Sequence, residues 1–447
     1  AWEQSWQKKL TNNMLESINE SQKQKESGSP DAQLVFCIDT RSERIRRNIE
    51  AQGNYETFGY AGFFGIPMRY RGYQESARYN SCPPIVEPQF MVSDQSEGDT
   101  EELKNKFDDH QKTKSGLKST FKALKNSLPS AFGFVEGTGI MYGLSILLKT
   151  LWPAYGKRSH TPKKHEKFCE PKLSPIKDDA QIEDVTPQIK AKLVSTAFDL
   201  MGWENFAPLV IFVGHESKTA NNPFASSLDC GACAGNAGRH NARMLAKMAN
   251  DPQVRFILNE EYDYTIPDDT LFIGGAHNTT TDEIILFDEH LPDSYISNLH
   301  ELKNDLQAAK ISTNAERLST ESKPSEVSNL AKTKAANWSE TRPEWGLAGN
   351  TGFIIAPRRI TKLQNWDGTC FLHSYDWQKD KYGDALEAIM QGPMIVTQWI
   401  NTHYYFSLVD NHKFGSGSKI TQNIASTFGV VQGNGGDLKR GLPLQSL

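Results

Sequence analysis

The stretch 33-QLVFCIDTRSERIRRNIEAQG-53 sets the architecture. QLVFCI is a short, β-rich apolar run, and SERIRRNIEA has apolar residues at helical spacing with Ser42 as a candidate N-cap. The pattern reads as strand, tight turn, helix. Two more runs repeat it downstream: 208-PLVIFVGHES-217 leads into the Gly/Ala-rich 230-CGACAGNAG-238 and a helix from about Arg239, and 270-TLFIGGAHNT-279 ends in polar residues. Strands alternating with helices predict an α/β fold with a mostly parallel sheet and flanking helices. In such sheets ligands gather beyond the carboxyl ends of the strands. Cys37, Asp39, Arg41 and His215 stand there.

The remaining chain is organised around this core. Residues 1–30 read as a helical segment closed by the breaker run ESGSP. Residues 31–300 read as the core, with polar insertions near 93–128 and 157–190, and 301–447 as a C-terminal part with a polar linker near 312–340. Residues 352–358 suggest a further strand, 380–400 a helix and 415–443 Gly-rich loops.

Composition removes several function classes. Forty-nine basic against 54 acidic residues give a net charge of −5, which argues against nucleic-acid binding. No run approaches the roughly 18–20 apolar residues of a spanning helix. The longest, 139–152 and 206–214, are short or interrupted, so the expectation is a chain that sits on a bilayer at most. Six cysteines are too sparse for a disulfide framework and suggest a reducing compartment. The chain starts with Ala and shows no signal segment, as expected of part of a longer or processed protein.

Cys37, Asp39 and Arg41 occupy i, i+2 and i+4, one face of an extended segment. Thiolate and carboxylate repel unless a cation lies between them. A divalent metal would serve, and so would Arg41 alone. His215 and Cys230 add an imidazole and a second sulfur, and the four together form a tetrahedral zinc set by ligand softness. Asp39 is the hardest ligand and the one to leave; Arg41 can receive it in a bidentate fork, opening a position for water. The bland alternatives are a buried structural Cys37, an Asp39–Arg41 loop salt bridge and a capping His215. Cys230-x-x-Cys233 also permits a redox reading, with Cys233 otherwise a packing residue. His277 is structural or pocket-lining, and His240 and Arg243 are ordinary helix-face residues.

C-x-D-x-R at a strand end, followed by G-H…C-G-A, resembles the β-class carbonic anhydrases in ligand order, although fourteen residues separate His215 from Cys230. With FCIDTRSE, 214-GHESKTANNPFASSLDCGACAGNAG-238 and 342-RPEWGLAGN-350, the chain resembles the DabA family of inorganic-carbon uptake subunits over most of residues 31–447. The resemblance implies a β-carbonic-anhydrase-like core with large insertions, and Zn²⁺ on Cys37, Asp39, His215 and Cys230. It implies CO2 hydration to bicarbonate involving Asp39 and Arg41, with no robust turnover by the isolated chain. It implies a peripheral position on the cytoplasmic face of the inner membrane, beside a membrane-embedded, proton-conducting DabB-like partner. Two rival readings differ in class: a structural zinc scaffold that binds the membrane subunit without catalysing hydration, and a Cys37–His215 hydrolase without metal.

Overall fold

The structure, a computed structural model, describes residues 2–447 apart from 22–27, 74, 76, 97–100, 154–168, 177–184, 221–228, 289–290, 319–322, 341–346, 348, 416–441, 443 and 445–446. The motif stretch 342–350 and the Gly-rich tail 415–443 fall largely outside the described residues, as does much of the 157–190 segment.

Helix α1 (Trp2–Ser21) precedes the central sheet. That sheet contains β1 (Ala32–Cys37), β2 (Tyr55–Tyr60), β7 (Leu209–Glu216), β8 (Leu271–Asn278) and β9 (Glu283–Leu286), in the order β2-β1-β7-β8-β9. β1, β7 and β8 are buried on both faces, which is why their sequences are continuous apolar runs. One face is covered by α5 (Pro187–Met201), α6 (Arg239–Asn250) and α7 (Pro252–Tyr262), through Phe198, Leu245 and Leu258 against Val35, Phe212 and Phe272. The other is covered by α2 (Ser42–Glu50) and α8 (Ile296–Arg317), through Ile45, Ile49, Leu302 and Leu306 against Phe36 and Ile211.

The expectation of a mostly parallel sheet needs correction: the sheets are mixed. β9 runs antiparallel to β8. A second sheet, β4-β3-β5-β6, combines β3 (Met68–Arg71), β4 (Tyr79–Ser81), β5 (Phe90–Ser96) and β6 (Cys169–Pro175). Its β3–β5 pair is parallel and its β3–β4 and β5–β6 pairs antiparallel. β5 ends, and β6 lies, inside segments that polarity marks as excursions. β6 alternates between buried and more exposed residues, and β5 buries the polar Ser93 and Asp94, so the apolar signal is diluted in both. A parallel pair, β10 (Gly352–Ile355) with β11 (Cys370–His373), closes the end of the central sheet. Leu372 donates its backbone N–H to the Ile38 carbonyl and Ser374 donates to Gly59.

The stretch 312–340, expected as a linker, contains the end of α8 and α9 (Pro324–Ala336). Short α10 (Arg358–Thr361) follows β10. The predicted helix at 380–400 is α11 (Asp384–Ile389), a π-helical turn Met390–Met394 holding Pro393, and α12 (Ile395–Val409), with α13 (Asn411–Phe414) after it.

The membrane expectation also changes. The 93–128 excursion is largely α3 (Glu101–Asn126), which pairs with α4 (Leu128–Leu151). Pro129–Leu151 is long and apolar enough to cross a membrane, and none of its apolar window is buried. Glycines at 133, 137, 139 and 143 interrupt the apolar run when it is read residue by residue, yet they do not interrupt the helix.

Candidate metal centre

The centre forms where β1 and β7 end. Cys37 is the last residue of β1, and the chain then turns: the Asp39 carboxylate accepts the Arg41 backbone N–H at 2.9 Å and the Asp39 carbonyl accepts Ser42 N–H at 2.9 Å. Asp39 therefore makes the turn expected of Ser42. Ser42 is the first residue of α2, Arg41 holds the N-cap position without a side-chain cap, and the Ser42 hydroxyl is buried without a partner. His215 lies on β7. Its carbonyl accepts the Gly238 N–H at 3.0 Å, which ties the strand to the start of α6. Cys230 opens a 3-10 turn, Gly231–Cys233, closed by Ala234 and Gly235 at positive φ.

These folds bring three side chains together. The ligand atoms of Cys37, His215 and Cys230 lie within 4.8 Å of one another, and all three residues are buried. Asp39 stands beside the group, 3.7 Å from His215 Nε2, but Arg41 holds it: Nε to Oδ1 at 2.9 Å and Nη2 to Oδ2 at 3.0 Å. The same guanidinium reaches His215 Nε2 at 3.4 Å and Thr279 Oγ1 at 3.3 Å. Burial opposes ionisation of Asp39, yet the Arg41 and His215 charges outweigh it and keep the carboxyl well below the usual carboxylate range. Burial pushes the thiols of Cys37 and Cys230 far up, Cys37 further raised by Cys230 and Cys230 by Cys233. Two thiols that burial keeps protonated, beside an imidazole whose Nδ1 is buried without a hydrogen-bond partner, fit a thiophilic cation. Such an ion would convert both to thiolates.

Gly62 makes the packing of the two sulfurs possible. A Cβ there would lie 2.6 Å from Cys230 Sγ and 2.7 Å from Cys37 Sγ. Cys233 Sγ donates to the Gly62 carbonyl at 3.2 Å. Asn241 fixes the same loop, donating to the carbonyls of Phe63 and Ser81 at 2.9 Å. His277 sits beside His215 in the sheet register, but Asp282 engages it at 3.3 Å and Arg317 engages Asp282 at 3.0 Å. His240 stacks on Tyr70 at 3.7 Å between ring centroids. Gly62, Thr279 and Asn241 carry no motif, and sequence reasoning passed over them.

An apolar cavity of about 70 Å³ adjoins the centre, between Cys37, His215, Phe63 and Phe371 on one side and Val396 and Ile400 of α12 on the other.

Comparison with known proteins agrees with the motifs. The family model described as "Probable inorganic carbon transporter subunit DabA" matches residues 1–447. The chain belongs to the DabA family. Relatives bearing that name from Natronomonas pharaonis and Haloarcula marismortui are each 49% identical over 100% of this chain and 56% of their own length. One from Salinibacter ruber is 47% identical over 100% of this chain and 57% of its own. The chain thus spans a little over half the length of these curated relatives. No solved structure matches it.

Proposed function

We propose that this chain is the zinc-dependent, CO2-hydrating part of a membrane-associated inorganic carbon uptake complex, with a β-carbonic-anhydrase-like centre. The observation that carries this reading is the buried Cys37–His215–Cys230 group with Asp39 drawn aside into the Arg41 fork. Zinc held by these three residues would keep a position open, as in catalytic rather than structural zinc sites. When bound, zinc supplies a Lewis acid that makes water a competent nucleophile near neutral pH.

The chain's own residues do the rest. Arg41 keeps the Asp39 carboxylate charged and off the fourth position, and Asp39 returns to close the site when Arg41 releases it. The apolar cavity walled by Phe371, Val396 and Ile400 suits a small uncharged molecule such as CO2 better than bicarbonate, whose desolvation there would go uncompensated. The relatives' shared name supports the transport role. The bare apolar surface of α4, together with exposed Trp399, Tyr405 and Leu408 on α12, supports contact with a membrane-embedded, DabB-like, proton-conducting subunit at the cytoplasmic face.

The deciding experiment is zinc analysis beside CO2 hydration, with and without the membrane subunit. Zinc near one per chain with hydration only in the complex supports the reading. Bound zinc with no hydration in either state leaves the scaffold reading in its place. Alkylation of Cys37 that abolishes activity in metal-free protein would instead favour a thiol hydrolase.

A further inference from the structure

A second cavity, of about 650 Å³, opens between β6, α6 and β8, away from the candidate metal centre. Its most unusual feature is Arg243, a residue that helical spacing marks as an ordinary surface position. Arg243 is only 6% exposed. Its stem lies against Gly274 of β8, where an added Cβ would come within 2.8 Å of the Arg243 Cα, so the close approach of α6 to β8 depends on that glycine. The guanidinium sits over the Phe287 ring, 4.9 Å from its centroid, and Nη2 donates to the Cys169 carbonyl at 2.8 Å. Nη1 is buried with no hydrogen-bond partner. Among the described residues no carboxylate pairs with Arg243.

Three contacts thus immobilise a buried cation and leave one pair of its N–H donors unused. The cavity around it is positive: Arg243, Lys172, Lys190 and Lys247 line it against two carboxylates, Glu170 and Asp251. Those two are already engaged, Asp251 by Lys190 at 3.4 Å and Glu170 by Lys247 at 3.6 Å. The opposite wall is apolar, with Leu173, Met244 and Phe272. A volume of this size is that of a small-molecule site. Buried cations are otherwise paired, and a guanidinium matches the planar or tetrahedral oxygens of carboxylates and phosphates.

We propose that this cavity is a binding site for a small-molecule oxyanion, drawn by the unpaired charge of Arg243 and ringed by the lysines, with any apolar body of the ligand against Met244 and Phe272. Carboxylate-type and phosphate-type ligands share this chemistry, and the test separates them. The full chain is titrated calorimetrically with sodium bicarbonate, inorganic phosphate and AMP at constant ionic strength, with chloride as control. Saturable binding of bicarbonate alone assigns the site to a carboxylate-like anion. Binding of phosphate, with AMP tighter, assigns it to a phosphate ester. In either case Arg243→Gln weakens binding by about tenfold or more, Arg243→Lys restores part of it, and zinc content is unchanged. Lys172→Glu, at an exposed rim position, weakens binding as well and covers the case in which Arg243→Gln fails to fold. Absence of saturable binding for all three anions overturns the proposal. So does binding that persists undiminished in both Arg243→Gln and Lys172→Glu.

Discussion

At the level of single residues, Arg41 is the point on which the proposed chemistry turns. Its guanidinium grips both Asp39 oxygens and reaches His215 and Thr279. Arg41→Ala leaves both thiols and the imidazole in place, so zinc content should persist while hydration in the complex falls by about 10²-fold or more. Lys should rescue poorly, because a point charge cannot grip both carboxylate oxygens. Full activity in Arg41→Ala would remove the exchange of Asp39 from the mechanism. Gly62 offers a complementary test on the metal rather than the reaction. Its Cβ in Gly62→Ala would overlap both sulfurs, so the variant should fold with reduced zinc content and, in consequence, reduced activity. Normal zinc by elemental analysis would show that the loop yields instead. The gathering of Cys37, His215 and Cys230 was legible in the sequence, from the C-x-D-x-R pattern at a strand end and the downstream G-H…C-G-A. Gly62 and Thr279 were not, because what they contribute is a missing side chain and a contact 238 residues from its partner.

Among the elements, α12 has the least expected position. Sequence spacing indicates a helix at 380–400, but nothing local says that it walls a cavity beside residue 37. The π turn at Met390–Met394 precedes it, and π turns recur at functional sites. Val396→Phe projects a ring into the cavity. It should lower kcat/KM for CO2 hydration in the complex while zinc content and thermal stability stay near wild type. Unchanged kcat/KM would show that the cavity is not on the substrate path. The legibility of other elements follows burial. β1, β7 and β8 are covered on both faces and announce themselves as apolar runs. β6 alternates in exposure and β5 buries the polar Ser93 and Asp94, so both read as loop. α4 misleads in the opposite direction: its apolar residues are spaced by glycines at which an added Cβ would meet nothing.

Across the whole molecule, two properties are open to measurement. α4 leaves Ile140 and Leu144 exposed, and the Ile140→Glu/Leu144→Glu double variant places two charges on that surface. If α4 enters the bilayer, each charge costs about 2.5–3.5 kcal/mol, and the fraction of protein sedimenting with membranes should collapse. Unchanged sedimentation would assign membrane attachment elsewhere. The second property is acid sensitivity. His373 is buried, donates Nδ1–H to the Ser374 carbonyl at 2.7 Å and packs edge-on to Tyr60. Burial, aided by the Arg46 charge and only partly offset by the Ser374 hydrogen bond, pushes its pKa down to about 4. An unfolded histidine titrates near 6.5, so between these values the unfolded state binds the additional proton. The stabilisation is complete above about pH 6.5 and is lost as pH falls through about 4, amounting to about 3 kcal/mol. His373→Asn, which keeps a donor near Nδ1, should flatten the dependence of the urea midpoint on pH across that window. An unchanged slope would show that another group carries it.

The distance along the chain between the gathered thiols also has a consequence during biosynthesis. Cys37 leaves the ribosome 193 residues before Cys230. At roughly 5–20 residues per second that interval is about 10–40 seconds. For most of it β1 lacks β7, its central partner in the finished sheet, and until the end the first sulfur has no second thiol beside it. Any metal held by the three side chains would therefore enter late, after the second half of the core has docked, and the nascent chain depends on its surroundings to keep Cys37 reduced until then.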